Sequence, residues 1–407
     1  MNVKRRQVYY IAGFDHRGDK HYHSLYQNHA QRQSDNTPYQ ISVSEIEPSQ
    51  IPHQSTWQIE FQEDGQDCHT TYTYLSWDDI ALTNMQPVNP AFYVRSWQAF
   101  LLAARTGFLK QSKTASWPIA FSISASYLIV LLPPLIAIAI GALMLRGHVS
   151  IVLGLALIVA LGAFVRWANK KINILWIVHA FNFNVQYSRD ESLLDERLTE
   201  FASEINRALQ SDQFDEVMVV GHCYGSALMI PVLSKLTEQL NAANPDSAKS
   251  KSAKSKTALS ILTLAQTSPL ISWLPNTDWY KQHFQNIDLS LFKWVDFSSP
   301  ADGVCYPLLD IFAPFGADKA NQLTLKSPRF FKLFDKTEYQ RIIRKNKFRV
   351  HFQYLLSSTF TQEYDFFAMT AGVQTLAQRF AKTANAAVKT IKNPKSSPDA
   401  VETVHVK

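Results

Sequence analysis

The chain has 407 residues, of which 46% are hydrophobic and only 18% charged, against about 25% charged in ordinary soluble proteins. A net charge of +6, with no zinc-ligand spacing and no nucleic-acid module, argues against a nucleic-acid partner. Three cysteines, Cys68, Cys223 and Cys305, lack any CxxC pairing and make no disulfide framework, so a reducing compartment fits best.

The first residues, MNVKRR, turn apolar at QVYYIAGF (7–14). That run is too short for a signal peptide, and polar residues follow at once. It reads as a buried strand ending in a glycine turn. HSLYQNHAQRQ (23–33) reads as a helix. YQISVSEI (39–46), TWQIEFQ (56–62) and CHTTYTYLSW (68–77) read as strands, the last two flanking the hairpin turn EDGQD. DDIALTNM (78–85) begins a short helix.

Residues 117–145 then contain no charge, and a bilayer crossing needs about 20 such residues. A second uncharged stretch covers 149–165. Between them, Arg146-Gly147-His148 reads as a tight polar turn. Gly141, Gly154 and Gly162 are small enough to let two paired helices approach closely. Pro133-Pro134 predicts a kink in the first helix and leaves a re-entrant loop open. Arg105, Lys110 and Lys113 precede the hairpin and Arg166, Lys170 and Lys171 follow it, while the turn holds only Arg146. That asymmetry places both ends in the cytoplasm. INILWIVHAFNF (172–183) is too short to span and is expected either along the membrane surface or packed under the domain.

SLLDERLTEFASEINRALQ (192–210) has helical periodicity. FDEVMVVGHCYGSALMIPVLSKLTEQL (214–240) is an apolar strand, a glycine-bounded turn and a helix. Residues 241–257, rich in Ala, Ser and Lys, read as an exposed flexible loop. Strands are expected at 259–270, 292–299 and 348–356, a helix at 366–381, and a disordered tail beyond about 385. Strands alternating with helices imply an α/β fold with a mostly parallel sheet. The expected organisation is an N-terminal part of the α/β domain (1–110), a helical hairpin (116–166), a C-terminal part carrying the elbow (167–385) and a tail (386–407).

The chemistry concentrates at Gly221-His222-Cys223-Tyr224-Gly225, between EVMVV and a helix. This arrangement resembles the nucleophile elbow of the α/β-hydrolases, G-x-Ser-x-G, with cysteine in the serine position. The glycines suit a strained strand-to-helix turn where a Cβ would clash. The resemblance covers 7–14 and about 190–380, and it implies a chain order of nucleophile, acid, histidine. Asp302, in the turn Pro-Ala-Asp-Gly, is the favoured acid over Asp296; Asp310 and Asp365 lie outside. His351 follows Asp302 by 49 residues and is the favoured base. The resemblance also assigns oxyanion N–H groups to Tyr224 and to Gly13 or Phe14 after the first strand. His16, His21 and His23 lie near Asp15 and Asp19, but these carboxylates serve as easily in turns; neither metal nor cofactor is expected.

WDDI (77–80) and HFQYL (351–355) further resemble a group of bacterial membrane-anchored α/β-hydrolase-like proteins, which implies an inner-membrane location with the soluble part cytoplasmic. Cysteine elbows also occur in dienelactone hydrolases and polyhydroxyalkanoate synthases. The resemblance therefore implies an enzyme that cleaves an ester or thioester, lipid-derived ones among them, through Cys223, His351 and Asp302. A cysteine-dependent acyltransferase and an inactive membrane scaffold remain open alternatives. Oligomeric state is not legible.

Overall fold

The computed structural model describes residues 2–85, 87–243, 257–345 and 347–381. The N-terminal elements are β1 (Arg5–Ile11), α1 (Gly18–Ser34), β2 (Gln40–Val43), β3 (Gln54–Glu63), β4 (Gln66–Leu75), α2 (Asp78–Asn84), α3 (Pro90–Arg105) and α4 (Phe108–Ala115). Next come α5 (Trp117–Leu145), α6 (Ile151–Ile172), α7 (Ile174–Arg189), α8 (Ser192–Gln210), β5 (Glu216–His222), α9 (Tyr224–Ala243) and β6 (Ala258–Leu264). The remainder holds α10 (Pro269–Ser272), α11 (Asp278–Asn286), β7 (Lys293–Phe297), β8 (Thr324–Lys326), α12 (Lys336–Lys345), α13 (Lys347–Phe352), α14 (Phe366–Thr370) and α15 (Leu376–Arg379).

Strand β1 is buried at every residue after its first, and β5 throughout. Such strands belong inside a sheet covered on both faces. The sheet order is β2-β3-β4-β1-β5-β6-β7-β8. Pairing is antiparallel from β2 to β4 and parallel elsewhere. The expected α/β class with a mostly parallel sheet is therefore present, and one sheet joins the segments before and after the hairpin. Asp64 and Gly65, both at positive φ, make the two-residue turn between β3 and β4 and match its twist. Helix α8 buries Leu194, Leu198, Phe201, Ala202, Ile205 and Leu209, a stripe at helical spacing.

Two segments depart from expectation, and a third, 172–183, takes one of its two expected places. Residues 348–356 form the end of α13 and a following 3-10 turn (Gln353–Leu355), not a strand. The sheet ends at β8, and 351–354 instead packs across the strand ends: the Ser299 N–H donates to Tyr354 Oη at 2.8 Å. Residues 366–381 form two short helices rather than one. The Arg6 guanidinium donates to the Gly372 and Gln374 carbonyls, both at 2.7 Å, and Thr375 starts α15 with a capping box. Residues 172–183 pack against the domain, where α7 buries Ile174, Ile177, Val178 and Phe181. The flexible-loop and tail expectations fall largely outside the described residues.

Helices α5 and α6 are long and apolar enough to cross a membrane, and only 11% of the most apolar window of each is buried. A core helix would be mostly covered. Helix α5 continues through Pro133-Pro134 without a break in the helical span, so no re-entrant loop forms. Its N-terminal half is different: Ile119, Ile123, Tyr127, Val130 and Leu131 are buried in the domain core. At the hairpin tip, Gly147 has φ +73 and the His148 N–H reaches the Leu143 carbonyl at 2.9 Å, closing the helix end. Of the three glycines within the hairpin helices, only Gly154 is in close contact, with Met144; Gly141 and Gly162 have open space where a Cβ would lie.

The Arg6–Glu216 ion pair, 2.7 Å apart and fully buried, ties β1 and β5 to the turn between α14 and α15. The second Glu216 oxygen accepts from Ser260 Oγ and the Leu376 N–H. Breaking one side of such a pair costs about 3–5 kcal/mol, whereas replacing both by apolar groups costs far less. In denaturant titrations, Glu216→Ala is expected to lower stability by about that amount, and Arg6→Met/Glu216→Leu by less. Equal stability of wild type and Glu216→Ala would refute this account.

Candidate active site

A single residue separates β5 from α9. Cys223 sits there with φ +56, the left-handed region that a residue bearing a Cβ seldom adopts. Its surroundings hold it there. Its N–H donates to the Leu264 carbonyl at 2.9 Å, and its carbonyl accepts from Thr267 Oγ1 at 2.8 Å and from the N–H and Oγ of Ser226. A Cβ on Gly225 would come within 2.1 Å of the Ile11 carbonyl oxygen, and one on Gly221 within 2.9 Å of the Gly225 carbonyl. Both glycines of the motif are thus required by backbone approach between β1, β5 and α9. Gly13 is the third: its Cβ would lie 2.9 Å from the Cys223 Cβ.

The loop after β1 consequently passes directly over Cys223. Two indoles hold its carbonyls, Trp77 Nε1 on Ala12 at 3.0 Å and Trp176 Nε1 on Phe14 at 2.7 Å. Among the described residues, the Gly13, Phe14 and Tyr224 N–H groups have no acceptor. These are the three donors expected to face an oxyanion.

His351 is carried by α13, after the last strand, and is buried. Its Nδ1 lies 2.7 Å from Asp302 Oδ2, and Cys223 is near enough to act on the ring electrostatically. Burial by itself would lower the pKa of His351. The charges of Asp302 and Cys223 and the hydrogen bond to Asp302 overcome it and push the ring up to about 10. Asp302 is likewise subject to burial, which would raise it, but His351 and the Val304 N–H hold it below its usual value. The two shifts, His351 up and Asp302 down, both run in the direction of an ion pair between ring and carboxylate.

Asp296, the other acid candidate, does not reach His351. Its oxygens accept from Thr263 Oγ1 and Ser298 Oγ, both at 2.7 Å, and burial pushes it up to about 7. Asp310 accepts from loop N–H groups and Asp365 caps α14. Among the described residues no three metal-binding side chains gather, and His23 bonds the Ser44 carbonyl instead.

His222 has a role that the motif alone did not reveal. Its Nε2 lies 2.8 Å from the His351 carbonyl oxygen and its ring 5.0 Å from the His351 ring. Burial, then the His351 charge, lowers it to about 3. A neutral Nε2–H donor here anchors the backbone that carries His351. Gln266 was also missed. Its Oε1 accepts from Ser226 Oγ and the Thr267 and Ser268 N–H groups, bracing the residues that hold the Cys223 carbonyl. The polar run AQTSP directly after an apolar strand was the available signal.

Cys223 opens on an apolar cavity of about 40 Å³, lined by Phe14, Trp176, Phe181 and, from the hairpin, Ile119 and Ile123. The hairpin thus supplies one wall of the site.

Comparison of the chain with protein-family models, curated proteins and solved structures gives no match in any of the three.

Without its partner carboxylate, the His351 ring loses the charge that retains its proton. In Asp302→Asn the ring is expected to deprotonate at lower pH, so alkylation of Cys223 by iodoacetamide loses its cationic neighbour within the pH 7–9 window. His351→Gln should slow alkylation at pH 7 by about tenfold or more, with Cys223→Ala defining the background. Identical rates in all three imidazole and carboxylate backgrounds would show that the triad does not tune the sulfur.

Proposed function

We propose that the chain is a membrane-anchored, cysteine-dependent hydrolase that cleaves an acyl ester or thioester. The observation that carries this is Cys223, held at positive φ between strand and helix, within electrostatic reach of the Asp302-buttressed His351 ring. Further support comes from the chain order Cys223, Asp302, His351, with Asp302 after β7 and His351 after β8, as in the α/β-hydrolases.

In this reading, the Cys223 thiolate attacks the carbonyl carbon while the N–H groups of Tyr224 and of Gly13 or Phe14 receive the developing oxyanion. Collapse breaks the ester or thioester bond, and imidazolium His351 gives its proton to the leaving oxygen or sulfur. An acyl-Cys223 thioester remains. Neutral His351 then takes a proton from water as the water oxygen attacks, and the acid is released with regeneration of the pair. Asp302 orients the ring throughout.

The apolar lining at Phe14, Ile119, Ile123 and Phe181 favours a hydrocarbon chain on the acyl group. The present cavity holds only a few carbon atoms, so binding requires α5 and α7 to part. That closed cavity, with Cys223 only 6% exposed, is also what favours the second reading, a scaffold that retains the site without turnover. A transferase would use the same acyl-Cys223 intermediate and differ only in the acceptor.

Incubation with acyl thioesters of increasing chain length, followed by intact mass measurement, separates these readings. An acyl adduct on wild type that is absent from Cys223→Ala, with turnover reduced at least about 10³-fold in His351→Ala, supports the enzyme. Absence of both adduct and turnover over the whole series supports the scaffold.

For the hairpin, we propose two crossings with both ends in the cytoplasm of a bacterial inner membrane, from the six basic residues at its base against Arg146 at its tip. In a Cys223→Ala background, His148→Cys is expected to react with a membrane-impermeant maleimide added to sealed cells, and Lys110→Cys only after permeabilisation. Equal protection of both would rule out a crossing hairpin.

A further inference from the structure

A second cavity, sharing no lining residue with the Cys223 cavity, opens between α2, α3, α7 and the start of α8. Its volume is about 690 Å³, within the roughly 300–1,000 Å³ of small-molecule sites. Its walls are two facing helical stripes. Helix α7 contributes His179, Asn182, Gln186 and Arg189, at spacings of three, four and three, and α3 contributes Arg95 and Gln98. Residues at these spacings share one helix face. The floor is apolar, with Phe92, Val185 and Leu193.

The lining of this cavity holds two arginines, Arg95 and Arg189, and two carboxylates. Of its two carboxylates, Asp79 is engaged by the Arg197 guanidinium at 2.9 and 3.0 Å, and Asp190 accepts from the N–H and Oγ of Ser192. Arg189 forms no ion pair among the described residues. Burial and the charge of Arg95 lower His179, which leaves a neutral imidazole to donate or accept. Arginine on an exposed wall, with amides beside it and hydrocarbon beneath, matches an anion attached to an apolar body. On the outer face of α3, Val94 is 57% and Trp97 44% exposed, and α3 leads through α4 into the hairpin. An exposed tryptophan beside a membrane helix suits the lipid interface.

We infer that this cavity binds a phosphate-bearing amphiphile, its phosphate held by Arg95 and Arg189 and its apolar part resting on Phe92, Val185 and Leu193. The site stands apart from the catalytic reading, and rests on the membrane reading only for the ligand's source, a lipid headgroup or a soluble phosphate compound.

The test is calorimetric titration of the full chain, in uncharged detergent, with dihexanoyl phosphatidate and separately with inorganic phosphate. Saturable binding of the phosphatidate, weakened at least about tenfold in Arg95→Gln/Arg189→Gln and partly regained in Arg95→Lys/Arg189→Lys, supports the site. Much weaker binding of inorganic phosphate identifies a lipid as the source; comparable affinity, with competition between the two, identifies a soluble phosphate compound at the same site. Binding that is not saturable, or is unchanged in the glutamine pair, overturns the inference. Thermal midpoint and Cys223 alkylation rate, expected to stay at wild-type values, show that the glutamine pair is folded and separate this outcome from failure of the catalytic proposal.

Discussion

The backbone at Cys223 is the constraint on which the rest of the site depends. A residue with a Cβ held at φ +56 costs on the order of 1–3 kcal/mol, and persists only where its surroundings over-determine it. Here they do so from three directions. Leu264 takes its N–H, Thr267 and Ser226 hold its carbonyl, and Gly13, Gly221 and Gly225 remove the side chains that would keep β1, β5 and α9 apart. The same closeness delivers the loop at 12–14 to the sulfur. Strain at one residue and a set of unspent N–H donors are two consequences of one packing arrangement.

Electrostatics then builds on that geometry. A carboxylate, an imidazole and a thiol buried together each bear a desolvation cost, and the three reduce it only by sharing charge. Asp302 held low and His351 held high are the two ends of that sharing. His222 completes it from below. By staying neutral it donates to the His351 carbonyl without adding a second positive charge to the cluster. A histidine inside the elbow motif therefore positions the backbone of His351.

What could be read from the sequence follows the range of the interactions involved. The elbow, the Asp64-Gly65 turn and the 192–210 helix are set by neighbours in the chain, and each lies where the residue pattern put it. Asp302 was separable from Asp296 because a turn beyond a strand leaves a carboxylate able to reach outward, while one inside β7 is captured by Thr263 and Ser298. The segment around His351 was misread because F-R-V-H-F-Q-Y-L-L has the aromatic and branched content of a strand. Whether such a run is strand or helix depends on an open sheet edge, which is a tertiary fact. Gln266, Trp176, Ile119 and Ile123 were missed for the same reason: each joins the site through contacts between distant parts of the chain.

The hairpin unites two of these threads. Helix α5 is about 43 Å long at 1.5 Å per residue, more than the roughly 30 Å of a hydrocarbon layer. Its excess lies at the N-terminal end, where Ile119, Ile123 and Tyr127 are built into the domain core and two of them face Cys223. A single helix therefore joins the apolar outer segment to the wall of the cavity. The inner part of the helix is tied to the domain, where Ser122 Oγ bonds the Gly303 carbonyl at 3.0 Å and Tyr127 Oη bonds Asn182 at 2.7 Å. Gly303 follows Asp302, and Asn182 sits on α7, which also lines the cavity. The helix that carries the apolar outer segment therefore also lines the Cys223 cavity, so the hairpin and the site share one element.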